Sequence, residues 1–251
     1  MFRPRIIPVL LLKGLGLVKT VKFKSPNYIG DPMNAVKIFN DLEADELVFL
    51  DISATPENRI PSLELVNRIG EEAFMPFSVG GGIKKVDDVR RIIESGAEKV
   101  VINSEALANP KLVEQAATLI GSQSTVVSID VKKNIFGKKV VMTQCGKRKS
   151  KISPSVHAKQ MVESGAGEII INSIDHEGTG MGYDLDLIQE VADAVEVPVV
   201  ALGGASGIAD FKLALDKGAH AVAAGSLFVY QGPRKAVLIN YPSKEDIHKV
   251  L

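Results

Sequence analysis

A single cysteine, Cys145, among 251 residues leaves no partner for an intramolecular disulfide. A disulfide miniprotein is excluded, and a reduced cytoplasmic setting is expected. Net charge is equally absent, since thirty Lys and Arg balance thirty Asp and Glu. The chain as a whole therefore has no electrostatic pull toward nucleic acid or an anionic membrane, and only local patches remain to consider. No apolar run is long enough to span a bilayer, and the opening one, Ile6 to Leu12, is too short for a secretion signal with its cleavage site and reads as a strand. No turn carries a dinucleotide glycine pattern, and no HxH or Cys/His spacing suggests a metal site. No linker or low-complexity stretch divides the chain, so one domain over 1–251 is expected.

What is present is a core. With 45% hydrophobic residues, disorder and collagen-like repeats are ruled out. Short, β-branched runs, apolar on both faces, recur at 6–12, 46–52, 76–79, 99–103, 125–130, 168–172, 198–202 and 221–225. Helical patterns lie between them: Pro32 to Leu42, Ser62 to Ala73, Asp87 to Ser95, Pro110 to Ile120, Ser155 to Ser164, Leu185 to Ala194 and Ile208 to Lys217. Several end near a glycine, as at Gly96, Gly121, Gly165 and Gly218. Buried strands alternating with amphipathic helices predict an α/β fold with a parallel sheet, and eight such units match the (β/α)₈ TIM barrel, a doubly wound sheet being the alternative.

An internal repeat supports the barrel. Ala44, Glu46, Gly81-Gly82, Gly96-Ala97 and Ser104 return 122 residues later as Ala166, Glu168, Gly203-Gly204, Gly218-Ala219 and Ser226. A duplicated half-barrel places equivalent sites on opposite sides of one mouth.

Active sites of this fold sit at the C-terminal strand ends. Gly81 and Gly82 with Asn103 and Ser104 in one half, and Gly203 and Gly204 with Gly225 and Ser226 in the other, predict two phosphate cradles, because glycines let backbone N–H groups approach an anion. Tight turns are the plainer reading of either cluster alone. Two cradles suit a ligand with a phosphate at each end. Asp130 ends the run TVVSID and is the acid–base candidate. Asp51, Asp175 and Glu177 also follow strands and could equally cap loops. Aligning PVLLLK with VSIDVKK sets Leu11 opposite Asp130, so one half lacks its acid. Lys19, in the hairpin-like GLVKTVKFK, is expected either as an ordinary exposed lysine or as part of a lid. His176 lies near the mouth, and Cys145 receives no nucleophilic role. At the other end Arg5, Glu46, Lys99 and Glu168 open four strands, and charges there must be paired or solvated. They could form a closed ring, either a seal or a gate.

With ADELVFLDISA, SVGGGI, KVVINSEAL, GSQSTVVSIDVK, GAGEIIINSIDHEGTGMGYDL and the GGA and AAGS pair laid out, the chain resembles, from Arg5 to about Phe228, the cyclase subunit of imidazole glycerol phosphate synthase, the glutamine-dependent barrel of histidine biosynthesis. That resemblance implies a barrel that receives ammonia from a separate glutaminase and uses no metal or redox cofactor. It matches Asp130 to one of two catalytic aspartates, Lys19 to a ligand-holding lysine, Gly82, Asn103, Ser104, Gly204, Gly225 and Ser226 to the phosphate sites, and Arg5, Glu46, Lys99 and Glu168 to the ammonia gate.

The departures from that family carry information. Leu11 stands where the family has its other catalytic aspartate, Asn172 where a threonine is usual, Glu177 in place of a loop aspartate and Leu202 in place of a small residue. Phosphate sites and gate kept, with one acid lost, resemble the paralogous barrels found with surface-polysaccharide genes. These are expected to relay ammonia from a glutaminase to an ATP-dependent sugar amidotransferase. The histidine-pathway cyclase and a stand-alone phosphosugar isomerase are the alternatives.

Overall fold

The computed structural model describes residues 4–250. In chain order, β1 (Arg5–Lys13) is followed by a hairpin, β2 (Gly16–Val21) and β3 (Lys24–Gly30), then α1 (Pro32–Asp41), β4 (Leu47–Asp51), α2 (Leu63–Glu72), β5 (Phe77–Gly80), α3 (Val86–Glu94), β6 (Lys99–Ile102), the short α4 (Ser104–Ala108) and α5 (Lys111–Ile120). The second half runs β7 (Thr125–Lys133), β8 (Lys139–Thr143), β9 (Arg148–Lys149), α6 (Pro154–Glu163), β10 (Glu168–Ser173), α7 (Leu185–Ala192), β11 (Val199–Leu202), α8 (Ile208–Asp216) and β12 (Ala221–Ala224). The short α9 (Ser226–Val229), a small hairpin of β13 (Tyr230–Gln231) and β14 (Ala236–Val237), and α10 (Lys244–Val250) complete it.

Strands β1, β4, β5, β6, β7, β10, β11 and β12 pair in parallel, each with the next. β12 pairs back onto β1 from Arg5 opposite Ala221 to Pro8 opposite Ala224. The sheet is therefore closed, a (β/α)₈ barrel with no open edge, and the doubly wound alternative is excluded.

Strand parity decides what lies inside. In β1, Ile6, Leu10 and Leu12 pack outward against the helices, with Phe39, Phe49 and Phe77 in the same layer. Ile7 and Val9 face the barrel interior with Val48, Val101, Val126, Ile170, Val200 and Ala223, and Leu11, Leu50 and Leu202 cap that cluster near the mouth. Extending the same parity downward brings Arg5, Glu46, Lys99 and Glu168 to the bottom of the barrel, and extending it upward brings Asn103, Asp130 and Asn172 to the top. The helices start where the sequence provides caps: Asp31 accepts from the Met33 and Asn34 N–H groups ahead of Pro32, and Asp184 accepts from the Leu187 N–H. The β8–β9 flap, α4, α9 and the C-terminal elements are additions to the predicted pattern. Among the described residues, no helix is long and apolar enough to cross a membrane.

Candidate active site

The C-terminal strand ends surround a cavity of about 320 Å³. Its walls bring together Leu11, Leu50 and Leu202 with Lys19, Asn103, Asp130, Asn172 and both glycine clusters. One side of the floor is thus aliphatic and the other polar.

Asp130 is the centre of the polar side. Its carboxylate is buried and accepts from Asn172 Nδ2 at 2.9 Å and from Asn103 Nδ2 at 3.0 Å. Burial pushes its carboxyl up to about 6, although the two amide donors oppose that shift. Its titration therefore lies near the range useful for proton transfer. The Asn172 Oδ1 is buried with no hydrogen-bond partner, and with the amide reversed it would accept a hydrogen bond from a protonated Asp130 carboxyl.

The raised value has a consequence for stability. Between the unfolded value near 4 and about 6, the native state holds a proton that the unfolded state has released, so stability falls as pH rises through this window. Asp130→Asn should relieve roughly 3 kcal/mol at pH 8 and almost nothing at pH 4. Thermal melts of both proteins across that range check this, and a difference independent of pH would remove the carboxylate's desolvation as its cause.

Lys19 is not an exposed lysine. It lies buried in β2, and its ammonium donates to the Val9 carbonyl at 2.9 Å. Burial draws it down to about 8, against the opposing influence of Glu177. A Cβ on Gly225 would come 1.8 Å from its Nζ, so glycine there makes room for the cation beside the second cradle. The hairpin is fixed by Glu177, whose carboxylate accepts from the Thr20 hydroxyl and the Phe23 N–H, while its carbonyl accepts from the Lys22 N–H. Glu177 thus ties the first loop to the loop after β10, and burial raises its carboxyl. Of the two expectations for Lys19, the ordinary exposed lysine is corrected: the latched hairpin holds it inside the cavity wall.

The glycine clusters lie where the repeat predicts, on two walls of the cavity. Their backbone geometry fits the tight turns considered for them. A Cβ on Gly82 would lie 1.8 Å from the Arg59 carbonyl, and one on Gly204 would lie 2.1 Å from the Gly182 carbonyl. Both residues also have positive φ, at 64° and 110°. In the first cluster the Gly82 N–H donates to Thr55 Oγ1, and the Ser104 hydroxyl accepts from the Gln144 N–H. In the second, the Ser226 hydroxyl has no partner among the described residues, and the Lys19 ammonium lies against Gly225.

At the opposite end the four strand-opening charges form a closed ring. Arg5 pairs with Glu46 and, at 2.8 Å, with Glu168; Lys99 reaches Glu46 at 3.1 Å and Glu168 at 3.3 Å. Ser78 adds a hydroxyl donor to Glu46. Both carboxylates are buried, so each has two cations to offset its desolvation.

The remaining candidates make local contacts. Asp51 accepts from the Ser53 and Ala54 N–H groups and pairs with Arg59 at 2.6 Å. Asp175 accepts from the Lys133 N–H, and His176 Nδ1 meets the Gly182 carbonyl. Cys145 lines the cavity, and its thiol is raised by burial and by the nearby Asp130. Lys133 and Lys139 pair with Asp184. Sequence reasoning missed Thr55, Arg59 and Gln144, all loop residues outside the strand pattern. No group of three or more His, Cys, Asp or Glu residues that could hold a metal occurs among the described residues.

Comparison with known proteins agrees with this geometry. The family of histidine biosynthesis proteins matches residues 5–234. A protein of Leptospira interrogans, provisionally designated imidazole glycerol phosphate synthase subunit HisF, is 49% identical over 98% of both chains. Another of Pseudomonas aeruginosa, provisionally designated subunit hisF2, is 48% identical over 100% of this chain and 99% of its own. The imidazole glycerol phosphate synthase subunit HisF of Alkaliphilus metalliredigens is 42% identical over 92% of both. The chain belongs to the histidine biosynthesis protein family and, within it, to the HisF-like subunits of imidazole glycerol phosphate synthase.

Proposed function

We propose that this barrel relays ammonia from a HisH-like glutaminase partner to an ATP-dependent amidotransferase acting on an N-acetyl sugar of a surface polysaccharide, and that it performs little cyclase chemistry of its own. The observation that carries this reading is the pairing of an intact ionic ring at the bottom with a mouth where Leu11 stands in place of an acid. A ring kept only as a seal could be replaced by apolar side chains at no cost in stability, so its presence under a one-acid site favours passage of ammonia. The order of identities, 49% and 48% for the two provisionally designated relatives against 42% for the Alkaliphilus HisF, supports a branch apart from the histidine-pathway cyclase. The test is reconstitution with a glutaminase and the acceptor enzyme, with amide-labelled glutamine against unlabelled ammonium in the medium. Label in the product well above that expected from free ammonium supports the relay, and label diluted to the level of the medium refutes it.

The two cradles would orient a doubly phosphorylated ligand, with Gly81, Gly82, Asn103 and Ser104 at one end and Gly203, Gly204, Gly225, Ser226 and Lys19 at the other. Titration calorimetry with a sugar bisphosphate should show binding that Gly204→Val abolishes and Lys132→Ala leaves nearly unchanged, because only the valine obstructs the backbone. A folded wild-type protein that binds no bisphosphate would end the two-cradle reading. The retained Asp130 is what favours the alternative, a working histidine-pathway cyclase.

A further inference from the structure

The zero net charge averages two opposed segments. Residues 132–151 hold eight Lys or Arg and no acid, whereas residues 160–211 hold ten acids and no Lys or Arg. The basic segment is the flap made by the end of β7, β8 and β9. Lys133 and Lys139 are committed to Asp184, but Lys132, Lys138, Lys147, Arg148, Lys149 and Lys151 have no ion pair among the described residues. At the tip, Ile135 is 93% and Phe136 86% exposed.

That tip is rigidly built. The Asn134 carboxamide oxygen accepts from the Phe136 and Lys138 N–H groups, the Asn134 N–H donates to the Lys138 carbonyl, and Gly137 takes a φ of 76°. Two adjacent apolar side chains are thus held in water by a preorganised turn, an arrangement that contributes nothing to this chain's own core. Six large apolar residues are at least 70% exposed among the described residues. Five of them, Leu15, Tyr28, Ile135, Phe136 and Met181, lie in loops or hairpins at the mouth end, while the sixth, Phe74, lies before β5 at the bottom. The most exposed of the large apolar side chains are therefore at the barrel's two ends.

We infer that the β7–β9 flap docks a protein with an acidic face and an apolar cleft for Phe136, and that this protein is the enzyme consuming the ammonia. The assignment of the occupant rests on the relay reading above. Charge complementarity selects the acidic face. Continuity with the site selects the consumer: Gln144, Cys145 and Lys147 belong both to the flap and to the cavity wall, so a protein seated on the flap covers the exit where ammonia would otherwise be lost to water as ammonium. A small anionic ligand does not account for the flap, because Lys147 is the one flap cation lining the cavity, and Ile135 and Phe136 offer an anion nothing.

The test uses the whole chain with a HisH-like glutaminase and an ATP-dependent sugar amidotransferase as the acceptor enzyme. Phe136→Ser and Lys138→Glu, both on exposed side chains outside the cavity, should each weaken acceptor binding about tenfold or more. Glutaminase binding should be unchanged, and raising salt from about 50 to about 500 mM should weaken the acceptor complex alone. If the wild type passes labelled nitrogen and the flap variants bind and pass it equally well, the flap inference is overturned while the relay stands. A wild type that passes none overturns both. Flap-dependent sedimentation with phosphatidylglycerol–phosphatidylethanolamine vesicles, without acceptor binding, overturns the inference in favour of a bilayer.

Discussion

Purified barrel supplied with ammonium should turn over the histidine-pathway ribonucleotide about 10²- to 10⁴-fold more slowly than a cyclase with two acids, the usual consequence of removing one general acid or base. Asp130 retains its position, its two amide donors and a carboxyl near 6, so proton transfer on its side of the substrate survives. Across the cavity Leu11 continues the inward series of Ile7 and Val9 and packs with Leu50 and Leu202, and none of these three side chains can carry a proton. Leu11→Asp should recover part of the rate. The new carboxylate would enter an aliphatic patch and be pushed up in pKa by desolvation, so the pair Leu11→Asp with Leu202→Ala should recover more. The check is steady-state turnover with ammonium chloride at saturating substrate. Near-normal wild-type turnover would reassign the chain to histidine biosynthesis.

The second large effect is expected at the ring. Lys99 bridges two buried carboxylates, so Lys99→Ala leaves Glu46 and Glu168 to share Arg5. Breaking a buried pair by removing one partner costs about 3–5 kcal/mol, and partial solvent access at Lys99 reduces this to about 2–3 kcal/mol. For a barrel of this length the melting temperature should fall by about 5–10 °C. At a temperature where the variant is folded, labelled-nitrogen transfer should still drop while turnover with free ammonium is retained. Equal loss with both nitrogen sources would mean that the residue is only structural.

Much of this was legible in one chain because the barrel writes itself in two periods. Residues of the same parity as Ile7 and Val9 line the interior from Arg5 to Leu11, and the 122-residue repeat fixes which strand ends face each other. Both signals are backbone geometry expressed directly in residue spacing. The burial of Lys19 was not legible because its hairpin is held by a contact across the molecule, the Glu177 latch, which no local spacing records. Arg59 and Thr55 escaped notice for the same reason: they reach Asp51 and Gly82 from a loop without periodicity. The closure of the ionic ring was expected as a possibility, but Ser78, its hydroxyl donor, lies in the middle of an apolar run and gave no sign.

The ring also makes the two halves of the duplication unequal. Glu46 and Glu168 are repeat partners, yet both cations, Arg5 and Lys99, come from the first half. The counterpart of Lys99 is Ala221, and β7, the counterpart of β1, has no charge before Asp130. A barrel assembled from two copies of the second half would close over facing carboxylates with no cation between them, and one from two first halves would enclose surplus positive charge. The descendants of the ancestral half-barrel have therefore become obligate complements, each neutral only in the company of the other.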